Sequence, residues 1–376
     1  MLFGKRITKL ITITVLTLLV VVSSAGAATF KLGGLANLKS GYGQSMVSGT
    51  ALAIKEINAA GGVDGVTFSI DWQDTESSAA TGRMAVQKLI FDTKIDALIG
   101  CHGSTVVLAV EGLIAENEIV EMAMGSASQV TQLGNPWLFR VREDDALTAK
   151  VLANFTVNEL GLTKIAIFHM SEQYGVGGKD NTVAALAEYG VEPVAIEAHN
   201  QGDVDFSSQL LNIRQSGAEA MILYSGIPDI GILIKQARQL IPGIEILSSS
   251  VGATAPAMDV AGEAGNGVYA VVSYSEDNPD EKVQKFVQAH VEEFGVKPYD
   301  FFDPLAYDAV YLLAEAIKIA GSTDHAAVRD ALHEIQGYKG ATGLEYYVQP
   351  NGETINELLL IQIQDGKHQV VDTIKG

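Results

Sequence analysis

From Thr29 onward, short apolar runs rich in Val, Ile and Leu alternate with longer segments of helical period, and this alternation limits the fold more than any other feature. Runs apolar at every position need cover on both faces, and crossover helices supply it, so the pattern predicts mainly parallel sheets flanked by helices. Strands are expected at 30–35, 67–74, 96–100, 119–124, 164–170, 192–199, 220–226, 245–250 and 267–274. Between them, a helix from Gln44 to Ala60 ends at Gly61 and Gly62, which accept the left-handed conformation that stops a helix. A second helix, Ser78 to Thr93, places Gly82, Val86, Leu89 and Ile90 on one stripe and Arg83, Gln87 and Lys88 on the other face. Further helices are expected at 280–295 and 304–320.

The strand–helix rhythm runs before residue 147 and again over 164–274, so the chain holds two similar α/β units. The absence of a low-complexity linker between them, with helices following the second unit, implies a chain that crosses between lobes more than once. Two lobes joined by several crossings make a hinge and a cleft.

The first 27 residues carry Lys5, Arg6 and Lys9, then the uncharged run LITITVLTLLVVV and the small-residue stretch SSAGA, the layout of a cleaved secretory signal peptide. The apolar run is shorter than the ~20 residues that span a bilayer, and no comparable segment follows, so no membrane insertion is expected after cleavage. Export predicts a periplasmic protein. The single cysteine, Cys101, cannot form a disulfide within the chain. A formal charge of -20 repels phosphate backbones and anionic lipids, which argues against nucleic acid as a partner.

In open α/β sheets ligands bind beyond the carboxyl ends of strands, where helix N-termini present free N–H groups. Residues 96–105 fit: the strand DALIG runs into CHGS and a helix is expected from Thr105, with Ser104 as its N-cap and Gly103 in the turn. The next strand ends at Met124 and leads through GSAS into QVTQLG, with Ser126 or Ser128 capping. Neither turn contains lysine or arginine, which suits a carboxylate better than a phosphate. A third turn, FHMSEQYGVGG, offers Tyr174 from the second unit.

The segments GTALAIKEINAAGGVDG (49–65), DTESSAATGRMAVQKLI, IGCHGST, NPWLFRVREDDALTA (135–149), SEQYGVGG, DFSSQL (205–210) and YDAVYLLAEAI (307–317) together resemble the leucine/isoleucine/valine-binding protein family, the type I periplasmic solute-binding proteins of ABC transporters. The resemblance implies a two-lobed, Venus-flytrap α/β fold with three hinge crossings. Lobe 1 would comprise 28–147 plus 275–352, and lobe 2 148–274 plus 353–376, after a signal peptide over 1–27. It implies a monomer that closes on an amino acid or amino-acid-like ligand of the branched-chain class and presents it to a membrane permease. By position, the family's ligand contacts match Ser104, Ser126, the Met124 carbonyl, Tyr174, Tyr42 and the turn from Tyr224 to Pro228.

One position departs from the family. Where its amino-acid binders carry an acid that pairs with the ligand ammonium, this chain has Ser250. An ammonium buried without its carboxylate costs about 3–5 kcal/mol. Either Asp229, Asp303 or Glu172 substitutes, or the ligand is an aromatic or aliphatic carboxylate or an amide; a soluble sensor for a receptor is a further alternative. No catalytic motif is complete, the histidines lack metal-ligand spacing, and neither enzyme activity nor a cofactor is expected. Cys101 is expected to be a buried, inert thiol whose side chain diverges from His102. His102 is either a turn residue or an aid to carboxylate selection.

Overall fold

The computed structural model describes residues 28–355 and 357–375, so the signal peptide expected over 1–27 lies outside the described residues. Strands β1 (Thr29–Ala36), β2 (Thr67–Asp74), β3 (Ala97–Gly100), β4 (Val120–Ala123) and β5 (Leu138–Arg140) form a parallel sheet in the order β2-β1-β3-β4-β5. Helices α1 (Gly41–Ala59), α2 (Ala79–Lys88), α3 (Ser104–Glu116) and α4 (Gln129–Gln132) connect them. All residues of β3 and β4 are buried, as strands covered by helices on both faces must be. The last turn of the second expected helix is a π-helix, Leu89–Thr93.

After α5 (Asp145–Asn154) comes the second unit: β6 (Ile165–Met170), α6 (Gln173–Ala187), β7 (Ala195–His199), α7 (Ser207–Gln215), β8 (Ala220–Tyr224), α8 (Asp229–Leu240), β9 (Glu245–Ser248), α9 (Ala255–Ala261) and β10 (Tyr269–Val272). Helices α10 (Glu281–Phe294), α11 (Phe302–Ala320) and α12 (His325–His333) then return to the first sheet, where α11 packs along α1 and α12 reaches β4. A small hairpin, β11 (Gln336–Lys339) and β12 (Glu345–Tyr347), precedes β13 (Glu357–Gln364) and β14 (Lys367–Lys375). These last two run antiparallel and complete a seven-stranded sheet in the order β14-β13-β10-β9-β8-β6-β7.

The architecture is therefore two helix-flanked, mainly parallel sheets, with the chain passing between them after β5, after β10 and after β12. Buried charge ties these passages together. Arg140 N donates to Gly352 O at 2.8 Å, and its guanidinium grips the Glu353 carboxylate and the carbonyls of Ser126 and Ala127, each at 2.9 Å. Ser273 Oγ, just past β10, donates to Glu143 Oε2 at 2.8 Å.

Candidate functional site

The end of β3 is shaped by Gly100, whose φ of +129° places its missing Cβ 2.3 Å from the Leu35 carbonyl oxygen, so only glycine fits. The turn that follows opens α3 one residue earlier than expected. Gly103 occupies the N-cap position, and Ser104 is the first helical residue, its Oγ accepting from Ala127 N at 3.1 Å. Ser104 thus joins the two turns to each other and caps nothing. Likewise Ser126 and Ser128 make no helix cap: Ser126 Oγ donates to Asp145 Oδ2 (3.1 Å) and Ser128 Oγ to Asp144 Oδ1 (2.6 Å).

Between the two sheets lies a cavity of about 190 Å³, walled by residues of both lobes. From the first come Tyr42, His102, Ser104, Ser126 and Phe302, and from the second Met170, Glu172, Tyr174, Ile227 and Val251. The volume is below the ~300–1,000 Å³ of drug-sized pockets, which suits a small metabolite. Tyr42 stands on the first turn of α1, whose N-cap Ser40 accepts from Gly43 N at 3.0 Å, and not on a loop. Its ring meets those of His102 (5.7 Å between centroids) and Phe302 (5.2 Å), and the latter two lie 5.8 Å apart, so three rings form one aromatic wall. On the opposite wall Tyr174 hydrogen-bonds Ser249 Oγ and packs edge-on against Tyr224 at 5.8 Å.

The sequence reading missed the residue that sets the electrostatics. Arg142, two residues past β5 and outside both turns, lines the cavity and adds a cation that the turns themselves lack. Its guanidinium lies 4.9 Å from the centre of Phe301 and 5.4 Å from that of Phe302. Nη2 donates to Glu143 Oε1 at 2.6 Å and to Ser250 Oγ at 3.1 Å, while the buried Nε has no hydrogen-bond partner. Burial alone would lower the Arg142 pKa, but the carboxylates of Glu143 and Asp145 outweigh it and raise the pKa, keeping the group charged. Burial pushes against ionised Glu143 too, and there Arg142 with the Ser250 and Ser273 hydroxyls holds the carboxyl below its usual range. Asp145 goes the other way: burial, only partly offset by Arg142 and Arg140, raises it to about 7.

His102 is driven down to about 4 by burial and by Arg142, so at neutral pH it is an uncharged ring. Burial raises the Cys101 thiol to about 11. The Cys101 Sγ and His102 Nδ1 are 4.0 Å apart, nearer than their divergence at a strand end implied, but no thiolate–imidazolium pair can form between a thiol and an imidazole shifted in these directions.

Four expected contacts stand back from the cavity lining. Met124 is buried, with its N donating to Cys101 O at 3.3 Å. Tyr224 is a fully buried ring behind Tyr174. Ser250 is fully committed to Arg142 and Glu143. Asp303 is buried in the first turn of α11, where its Oδ1 meets His290 Nε2 (2.9 Å) and Ser48 Oγ and its Oδ2 accepts from Tyr299 N (2.9 Å). Of the substitute acids, Asp229 is buried and accepts from Gly202 N at 2.8 Å; Glu172, at the head of α6, does line the cavity, and its buried Oε2 has no partner.

The profile of the periplasmic binding protein family matches residues 29–367. The Leu/Ile/Val-binding protein homolog 1 of Brucella suis is 30% identical over 313 residues, covering 80% of this chain and 81% of the relative. Among solved structures, a leucine-binding protein of Thermotoga maritima superposes with a TM-score of 0.83 at 25% identity, covering 92% of this chain and 98% of the other. A solute-binding protein of an ABC transporter from R. palustris, solved in complex with 4-hydroxybenzoate, superposes with a TM-score of 0.84 at 19% identity, covering 92% of this chain and 97% of the other.

Proposed function

The chain belongs to the periplasmic binding protein family, and from that premise we propose that it captures a small carboxylate-bearing solute outside the cytoplasm and hands it to an ABC-transporter permease. The observation that carries this reading is the cavity itself, which takes one wall from each lobe. A solute held on the first lobe by Ser104 and Ser126 gains its contacts with Tyr174 and Glu172 only when the lobes come together. Its differential affinity for the closed form then shifts the hinge equilibrium, and the permease reads the closed shape.

The name of the Brucella relative supports leucine, isoleucine and valine as candidates, and Glu172, with its unpartnered oxygen, is the acid that would meet their ammonium group. The R. palustris structure shares the fold and adds aromatic acids to the solutes such a cleft accommodates. Arg142, the cation of the lining, supports a carboxylate in either case. Ser104→Ala and Tyr174→Ala should each weaken binding of the cognate solute about tenfold or more, as a lost hydrogen bond to a charged group predicts, and leave the protein folded though less stable, because Ser104 also accepts from Ala127 N and Tyr174 also bonds Ser249. Titration calorimetry beside a melting curve checks both, and unchanged affinity in the two variants would sink the site assignment.

A further inference from the structure

We infer that the solute is an aryl monocarboxylate carrying a hydrogen-bond donor at the end remote from its carboxylate, and not a zwitterionic α-amino acid. The inference rests on the solute-binding reading above and narrows its ligand class. Among the described residues lining the cavity, Arg142 is the one lysine or arginine and Glu172 the one acid. The site is thus built with a cationic and an anionic group of its own.

At the cationic end the carboxylates beside Arg142, those of Glu143 and Asp145, stand behind the cavity lining, and Asp145 already accepts from Ser126 Oγ at 3.1 Å. Glu143 already takes Arg142 Nη2 at 2.6 Å and Ser250 Oγ at 2.6 Å on Oε1, and Ser273 Oγ at 2.8 Å on Oε2. In an α-amino acid the ammonium sits one bond from the carbon bearing the carboxylate, so docking the carboxylate on Arg142 would bring two like charges together in a partly desolvated space. A carboxylate without that ammonium meets the Arg142 guanidinium and the Ser104 hydroxyl, whose proton is free because its Oγ accepts from Ala127 N, and it brings no second cation beside Arg142.

The body of the solute faces Tyr42, neutral His102 and Phe302, three rings within 5.8 Å of one another, an environment that rewards a flat ring. At the second lobe, Glu172 Oε2 is a buried acceptor without a donor, and a hydroxyl on the ring's far side supplies one.

Titration calorimetry of the full chain with benzoate, 4-hydroxybenzoate, benzamide, leucine and phenylalanine tests this, with lobe closure followed by scattering in parallel. Benzoate should bind at least tenfold tighter than benzamide, which lacks the charge, and 4-hydroxybenzoate several-fold tighter than benzoate. Glu172→Gln should erase most of the hydroxyl's advantage. Because Arg142→Met alone strands Glu143, the double variant Arg142→Met/Glu143→Gln is used: it should fold and lose both acids. Leucine or phenylalanine binding as tightly as benzoate, or undiminished acid binding by the folded double variant, overturns the inference; amino-acid binding with lobe closure leaves the solute-binding reading standing. No closure with any member of a wide panel of organic acids, amino acids and amides overturns both.

Discussion

Arg140 and Arg142 are two residues apart on one strand extension, and both are buried, yet they are used in opposite ways. Arg140 spends every nitrogen on the protein: Nε and Nη2 on Glu353, Nη1 on the Ser126 and Ala127 carbonyls, with Asp144 Oδ2 at 3.1 Å from Nη2. Arg142 lines the cavity with one anchored nitrogen, aromatic rings across its face and a buried Nε without a partner. A saturated buried cation is a fastener, while one left partly unsaturated has a donor to offer a further acceptor. Burial does not tell them apart; the remaining donor does.

Removing the fastener should have the largest effect. Arg140→Met leaves Glu353 buried without its counter-ion and cuts the link between the first and third crossings, so urea denaturation should show a loss of about 3–5 kcal/mol. A loss under about 1 kcal/mol would mean that the Arg140 network is replaceable. Next comes Asp145, which feels both arginines. Its native carboxyl is raised to about 7 from an unfolded value near 4. The native state thus holds this proton more tightly: the contribution is fully present below about pH 4 and is lost as pH rises from 4 through 7. Asp145→Asn should therefore match wild type at pH 4 and be more stable by about 2–4 kcal/mol at pH 8. Equal pH profiles for the two proteins would contradict the shift.

The smallest expected effect concerns contact between the lobes away from the arginines. Asn181 Nδ2 on α6 donates to Ser128 Oγ across the cleft at 3.0 Å. Asn181→Ala should cost about 0.5–1.5 kcal/mol of closed-state preference, seen as a shift toward the open form in scattering and an affinity reduced up to about tenfold. Strengthened binding would show that the bond resists closure.

The two sheets were legible because their inner strands β3, β4, β6 and β8 are buried along their whole length and read as apolar runs, while the edge strands β2 and β7 are partly exposed. The final pair was not read, although QIQDGKHQ places Asp365–Gly366 between two strands, the two-residue signature of a hairpin. Arg142 hid for a different reason. Inside REDD it reads as part of a solvated charge run, and only the approach of Phe301, Phe302 and Ser250 from distant parts of the chain makes it a buried cation. That Ser104, Ser126 and Tyr174 line the cavity follows from strand ends that turn into helices, a recurring pattern in the sequence, although neither serine caps a helix. Asp303 and Ser250 were placed one layer too far forward, since linear position shows which loop a residue occupies but not which way its side chain turns.

The position of β13 has a bearing on how the molecule is made. It lies inside the second sheet, paired to β10 on one side and β14 on the other, yet α10, α11, α12 and the β11–β12 hairpin separate it from β10 along the chain. Until residues 357–375 join the sheet, β10 is an open edge with a row of unpaired backbone groups. The second sheet is therefore completed only by pairing across a long stretch of sequence, and a chain lacking residues 357–375 would present β10 as an edge on which another chain could dock.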